Sequence, residues 1–165
     1  MKKLILMGRS MSGKTTLTQA LRGEEIHYYK TQYVNHYESV IDTPGEYAQS
    51  HRLGKALALY TYEADVVGIL VAANEPYSLF PPNVTCQANR ECIGIVTKID
   101  LPEANIPMAD RWLEIAGCKT IFHVNSKEGV GVADILEYLK TDEERGQEMT
   151  ENGQPDCDRK KLRTV

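Results

Sequence analysis

The string Gly8-Arg9-Ser10-Met11-Ser12-Gly13-Lys14-Thr15 constrains this chain more than any other stretch, because it stands between a short apolar run and the start of a helical pattern. Its form, G-x-x-x-x-G-K-[ST], is that of a turn whose successive backbone N–H groups gather around phosphates. In such a loop Lys14 reaches the β and γ phosphates of a nucleoside triphosphate, and the Thr15 hydroxyl, followed by Thr16, is presented to Mg2+. Glycine is required at Gly8 and Gly13, where a side chain would obstruct the tight turn and the close approach of backbone to ligand. Lys3 to Met7 reads as a short buried strand, and Thr15 to Arg22 as a helix with Leu17 and Leu21 one turn apart and Gly23 as its stop. Strand, loop and helix in that order aim the positive end of the helix dipole at the phosphates.

A chain of 165 residues with 42% hydrophobic content can bury one substantial core, so one domain is expected over residues 1–140. A net charge of −4 argues against a general nucleic-acid or anionic-membrane surface, whose footprint is basic. No apolar run approaches the length of a membrane span, and Met1-Lys2-Lys3 leads straight into the first strand without a signal-peptide cleavage site. The expected location is therefore cytoplasmic. Cys86, Cys92, Cys118 and Cys157 form no C-x-x-C pair and read as reduced, inert thiols. His27, His36 and His51 lie in one region, but no two share a helical face, so they are not read as metal ligands.

Beyond the first helix, Glu24 to Glu38 has no clear period and suits a loop folding over a ligand. Ser39 to Ile41 is a brief strand. From Ser50 to Tyr62, Leu53, Ala56, Leu57 and Tyr60 recur at helical intervals. Val66 to Ala72 is a continuous apolar run, the pattern of a central parallel strand. Pro76 to Asn89, interrupted by Pro81-Pro82, is a loop or broken helix. Ile93 to Val96 and Thr120 to Val124 read as strands, and Met108 to Ala116 and Val132 to Leu139 as helices. This alternation predicts a doubly wound, mostly parallel, three-layer α/β/α fold. Residues 141–165 hold almost no large apolar side chain and read as a disordered tail.

Two further motifs fall at strand ends. Asp42-Thr43-Pro44-Gly45 places a carboxylate where it can bind Mg2+, usually through water, and a glycine amide where it can touch the γ phosphate. Thr97-Lys98-Ile99-Asp100 places a carboxylate where it can accept from the ring N–H and exocyclic amine of guanine together, an edge adenine does not offer. The Lys98 stem can cover the base plane. Alone, each is an ordinary turn; after the phosphate loop, both point to a nucleotide.

The order of these elements resembles the Ras-like P-loop GTPase superfamily over nearly all of residues 1 to 140. By that resemblance Asn125-Ser126-Lys127 takes the place of a loop whose backbone touches the guanine oxygen, and Thr31 that of the magnesium-binding threonine of the first switch. Threonine stands at Thr97 where the superfamily usually has asparagine, and Glu46 where many relatives carry a water-orienting glutamine. The short interval from Lys14 to Asp42 implies a trimmed edge hairpin. More narrowly, the phosphate loop with His27-Tyr28-Tyr29-Lys30-Thr31-Gln32, Ile41 to Tyr47 and Gly94 to Lys98 is similar to the EutP/PduV family, encoded with ethanolamine- and propanediol-utilisation microcompartments. The resemblance implies two further roles: acetate kinase activity, making acetyl phosphate from acetate and ATP, and association with the compartment shell.

Three classes remain open. One is a switch-like, slow GTPase using GTP and Mg2+, with Lys14, Asp42 and Glu46 in catalytic positions. The second is a kinase using ATP and acetate, in which Asp42 or Glu46 would help position metal or acceptor. The third is a nucleotide-binding scaffold, suggested by seven of the nine tyrosines falling between Tyr28 and Tyr62. The first is the favoured reading.

Overall fold

The computed structural model describes residues 1–27, 35–36, 39–45, 55, 58–59 and 62–145. Strand β1, Leu4–Gly8, lies in the middle of a six-stranded sheet, parallel to β3 (Val40–Asp42) on one side and β4 (Val66–Ala72) on the other. Strands β5 (Glu91–Thr97) and β6 (Thr120–His123) extend the parallel set beyond β4. The two-residue β2, Asn35–His36, pairs antiparallel with β3 at the opposite edge. The predicted α/β fold with a mostly parallel sheet is therefore present, and its edge hairpin is short.

Because both faces of the sheet are covered, its central strands β1 and β4 are apolar at every position and the buried side chains divide between two cores. Ile5, Met7, Val67, Ile69 and Val71 join Ala109, Leu113 and Ala116 of helix α2 (Ile106–Ala116) on one face. Leu4, Leu6, Val66, Leu70, Ile93 and Ile95 join Leu17 and Leu21 of α1 (Lys14–Leu21) and Ile135 and Leu139 of α3 (Val132–Leu139) on the other. Each fully buried aliphatic side chain contributes about 1.5–3 kcal/mol relative to exposure, and a one-residue slip would send every one to the wrong face. The carboxyl ends of β1, β3, β4 and β5 are thereby held in fixed register: Gly8 lies opposite Leu70, and Ala72 opposite Thr97.

Helix ends explain most departures from the sequence-based expectations. Helix α2 starts at Ile106 rather than Met108, because Pro107 fits the first turn, where no backbone donor is needed, and the Asn105 side chain accepts from Met108 N at 3.2 Å. The loop expected around Pro81-Pro82 contains one short 3-10 turn, Val84–Gln87. Thr141 caps a turn by the reciprocal pattern in which its N–H donates to Glu144 Oε2 (2.8 Å) and its Oγ1 accepts from Glu144 N (3.4 Å). The Met1 ammonium donates to Glu144 Oε1 at 2.6 Å, so the first five residues of the predicted tail, 141–145, form a turn tied to the start of β1's segment; residues 146–165 lie outside the described residues. Residues 55, 58 and 59 are helical, whereas Leu53, Ala56, Leu57 and Tyr60 lie outside the described set.

After α1 the chain is brought back to it by a side chain. Gln19 Nε2 donates to His27 O (3.1 Å), and His27 N donates to Gln19 Oε1 (3.0 Å).

Candidate functional site

The loop from Gly8 to Lys14 leaves the carboxyl end of β1 and turns directly into α1. Gly13 is the helix N-cap at φ 96° and supplies no capping side chain. Met11 also lies in the left-handed region, at φ 64°, with its side chain 85% exposed. A Cβ at Gly8 would fall 2.8 Å from both Leu70 O and Ser12 Oγ, which is why the first loop position admits only glycine.

Lys14 is buried within this loop. Its Nζ donates to Gly8 O (2.9 Å) and Arg9 O (2.8 Å), so the ammonium both staples the loop and brings positive charge to its concave side. Burial lowers its pKa to about 8, while the carboxylates of Asp42 and Glu75 oppose the shift. The Ser12 hydroxyl is also buried and finds no hydrogen-bond partner among the described residues.

Asp42, at the end of β3, is 1% exposed and accepts from Thr15 Oγ1 at 2.9 Å. Thr43 Oγ1 donates to Leu6 O (2.6 Å), which fixes the start of the Asp42 to Gly45 turn against β1. Gly45 packs onto the phosphate loop so closely that a Cβ there would lie 2.3 Å from Ser10 Cα and Ser10 N. The two motifs, separate in sequence, thus form one surface.

On the other side of Gly13 a cavity of about 240 Å³ opens, floored by Gly13 and Thr16 and walled by Thr97, Lys98, Asp100 and Leu101 from the end of β5 and by Asn125, Ser126 and Lys127 after β6. Thr97 is 2% exposed and its hydroxyl donates to Ser12 O. Lys98 has φ 56°, which turns the chain sharply so that Asp100 returns to the cavity wall. Asn125 Oδ1 accepts from Lys127 N (3.2 Å), so that side-chain oxygen shapes its own loop. Thr31 and Glu46, the predicted switch threonine and water-orienting position, lie outside the described residues.

The structure adds two residues that motif reading passed over. Glu75 follows β4, accepts from Ala72 N at 3.0 Å, and has its carboxyl pKa raised by burial against the opposing pull of Arg9, Lys98 and Lys14. Tyr77 accepts from Arg9 Nη2 at 2.6 Å, with the guanidinium 4.4 Å from its ring centroid, so it holds the first variable residue of the phosphate loop to the β4 loop. Their only sequence signal is position: loops at the carboxyl edge of an open α/β sheet are where ligands bind.

The oxygen donors Thr15 and Asp42 suit a hard cation. Among the described residues no three His, Cys, Asp or Glu side chains gather to hold a metal by themselves. No helix of the described residues is long and apolar enough to cross a membrane.

Residues 1–141 match the PduV-EutP family, "Ethanolamine utilisation - propanediol utilisation". The chain belongs to this family. It is 40% identical over 144 residues to the propanediol utilization protein PduV of Citrobacter freundii, covering 87% of this chain and 96% of that one. It is 32% identical over 154 residues to the probable acetate kinase EutP of Salmonella typhimurium, covering 92% and 97% of the two chains. With the probable acetate kinase EutP of Escherichia coli it shares 30% identity over 159 residues, 93% of this chain and all of that protein. The PduV-EutP match ends at Thr141, the residue that caps the final described turn.

Proposed function

We propose that this PduV-EutP protein binds a guanine nucleoside triphosphate with Mg2+ and hydrolyses it slowly, in the service of ethanolamine or propanediol utilisation at a microcompartment. The observation that carries the reading is the continuity of the phosphate loop with the cavity: Gly13 and Thr16 floor a space whose wall includes the Asp100 carboxylate. Triphosphate oxygens lie against the first-turn amides of α1 and the Lys14 ammonium, and the base enters between the Lys98 stem and the 125–127 loop. Asp100 then accepts from the guanine N1–H and amine. Thr15 and Asp42 are the residues that would hold Mg2+, which would supply charge neutralisation for the phosphates. The superfamily resemblance, not the described structure, gives Glu46 the water-orienting position, and a carboxylate there would be repelled by the γ phosphate and orient water poorly, hence the slow turnover of the proposal. Calorimetric titration of GTP and ATP side by side with Mg2+ tests the base assignment: tighter ATP binding overturns it.

The names of the EutP relatives favour a second reading, an acetate kinase in which the γ-phosphoryl group of ATP passes to an acetate oxygen, giving acetyl phosphate and ADP. Hydroxylamine trapping with a parallel count of free phosphate separates the two. Acetate-dependent trapping that is lost in Lys14→Ala establishes the kinase, whereas acetate-independent phosphate release establishes the hydrolase.

A further inference from the structure

We propose that Thr97 is a positioning residue whose hydroxyl latches the phosphate loop to the end of β5, and that a purine bound here receives no hydrogen bond at N7 from this position. The inference rests on the reading of the cavity as a purine-nucleotide site.

Thr97 is the last residue of β5 and lines the cavity, the place from which a side chain would be expected to read the base. Its backbone is fixed by the sheet, with Thr97 O accepting from Ala73 N at 2.8 Å. The side chain is 2% exposed, and its hydroxyl donates to Ser12 O, 85 residues away in sequence. Its Cβ, Oγ1 and Cγ2 also lie 3.6–3.8 Å from where a Cβ on Gly13 would stand, so the threonine fits against the left-handed N-cap of α1.

A hydroxyl has a single hydrogen, and here it is committed to the loop carbonyl. Purine N7 is a bare acceptor and needs a donor. An amide side chain, the residue usual at this position in the superfamily, carries two hydrogens and can serve the loop and the base at once; threonine can do only the first. Recognition then rests on the Asp100 carboxylate, which lines the same cavity. Loss of the latch should loosen the phosphate loop itself, and so weaken every ligand that carries the triphosphate, whatever its base.

Titrating GTP, 7-deaza-GTP and inorganic tripolyphosphate into the wild type, Thr97→Ser and Thr97→Val tests both halves. The wild type should bind GTP and 7-deaza-GTP within about twofold of each other. Thr97→Val, which keeps shape but removes the hydrogen, should weaken all three ligands alike, by about tenfold, and Thr97→Ser should restore them. A wild type that binds 7-deaza-GTP about tenfold or more weaker than GTP overturns the proposal, as does a Thr97→Val protein that loses GTP affinity while keeping tripolyphosphate affinity. Amide hydrogen exchange on the ligand-free proteins provides an independent arm: faster exchange at Gly13 to Thr15 in Thr97→Val, but not in Thr97→Ser, supports the latch, and equal exchange in all three overturns it. A wild type that binds neither GTP nor ATP would retire the proposed function, and the exchange experiment would still decide the latch.

Discussion

Thr15 Oγ1 donates to Asp42 Oδ2 across 2.9 Å, joining the first turn of α1 to the end of β3. A cation ligated through a lone pair of the Thr15 oxygen would leave the O–H free to donate to Asp42, so the two ends of the proposed cation site are already held together. Thr15→Val should leave the fold intact at a cost of about 1 kcal/mol, while reducing the gain in GTP affinity on adding Mg2+ by about tenfold. Titrations in Mg2+ and in chelator measure the gain; an unchanged ratio would remove Thr15 from the site.

Lys14 sets a pH dependence. Its pKa in the ligand-free fold is lowered to about 8 from the ordinary 10.5, and only the protonated form neutralises phosphate. Triphosphate affinity should therefore fall as pH rises through about 8, and binding above that pH should take up protons, measurable by calorimetry in buffers of different ionisation enthalpy. The effect on folding has the opposite sign: between about 8 and 10.5 the unfolded chain holds the extra proton, so Lys14 makes the ligand-free protein more stable as pH rises across that window. Glu75→Gln removes a carboxylate that holds the Lys14 pKa up, and should move the affinity midpoint to lower pH.

Gly45→Ala should be among the most damaging small substitutions in the site. Its Cβ would meet the Ser10 backbone at 2.3 Å, so the phosphate loop and the Asp42 turn must separate, with a stability loss of about 1–3 kcal/mol and weakened triphosphate binding. Gly129→Ala is the control. Gly129, unlike Gly45, has positive φ, 75°, but nothing within 4 Å, so it should cost only backbone strain, about 1 kcal/mol, and leave binding unchanged. Chemical denaturation paired with GTP titration compares the two, and equal losses of binding would remove the contact with Ser10 as the cause.

Asp100→Asn exchanges a carboxylate for a group that can donate. GTP affinity should fall by about tenfold and xanthosine triphosphate affinity should rise, because the new amide can donate to the added oxo group. Competition titration of the two nucleotides reads the switch; parallel losses for both would show that Asp100 does not face the base.

Elements whose chemistry is local were legible in the sequence. Val66 to Ala72 and Val132 to Leu139 have the bounds that their apolar patterns predict, because each is buried by contacts its own periodicity encodes. The phosphate loop was legible because glycine spacing is itself the geometry. Residues whose role arises by convergence were not: Glu75 and Tyr77 sit in an aperiodic loop and acquire meaning only when β4 places them beside Lys14 and Arg9. Strand β2 is too short, at two residues, to leave any pattern.

The pairing of Gln19 with His27 has a practical consequence. A primary amide offers a carbonyl acceptor and two N–H donors, and with one of those donors it reproduces the pair a peptide group offers, so the α1 side chain works as a spare rung and closes residues 20–26 into a ring. Lengthening a segment whose ends are already clasped adds only chain-closure entropy, about 0.6 kcal/mol per doubling. The exposed stretch Arg22 to Glu25 is thus a natural graft point for an epitope or fluorophore tag that leaves the nucleotide-facing edge of the sheet undisturbed.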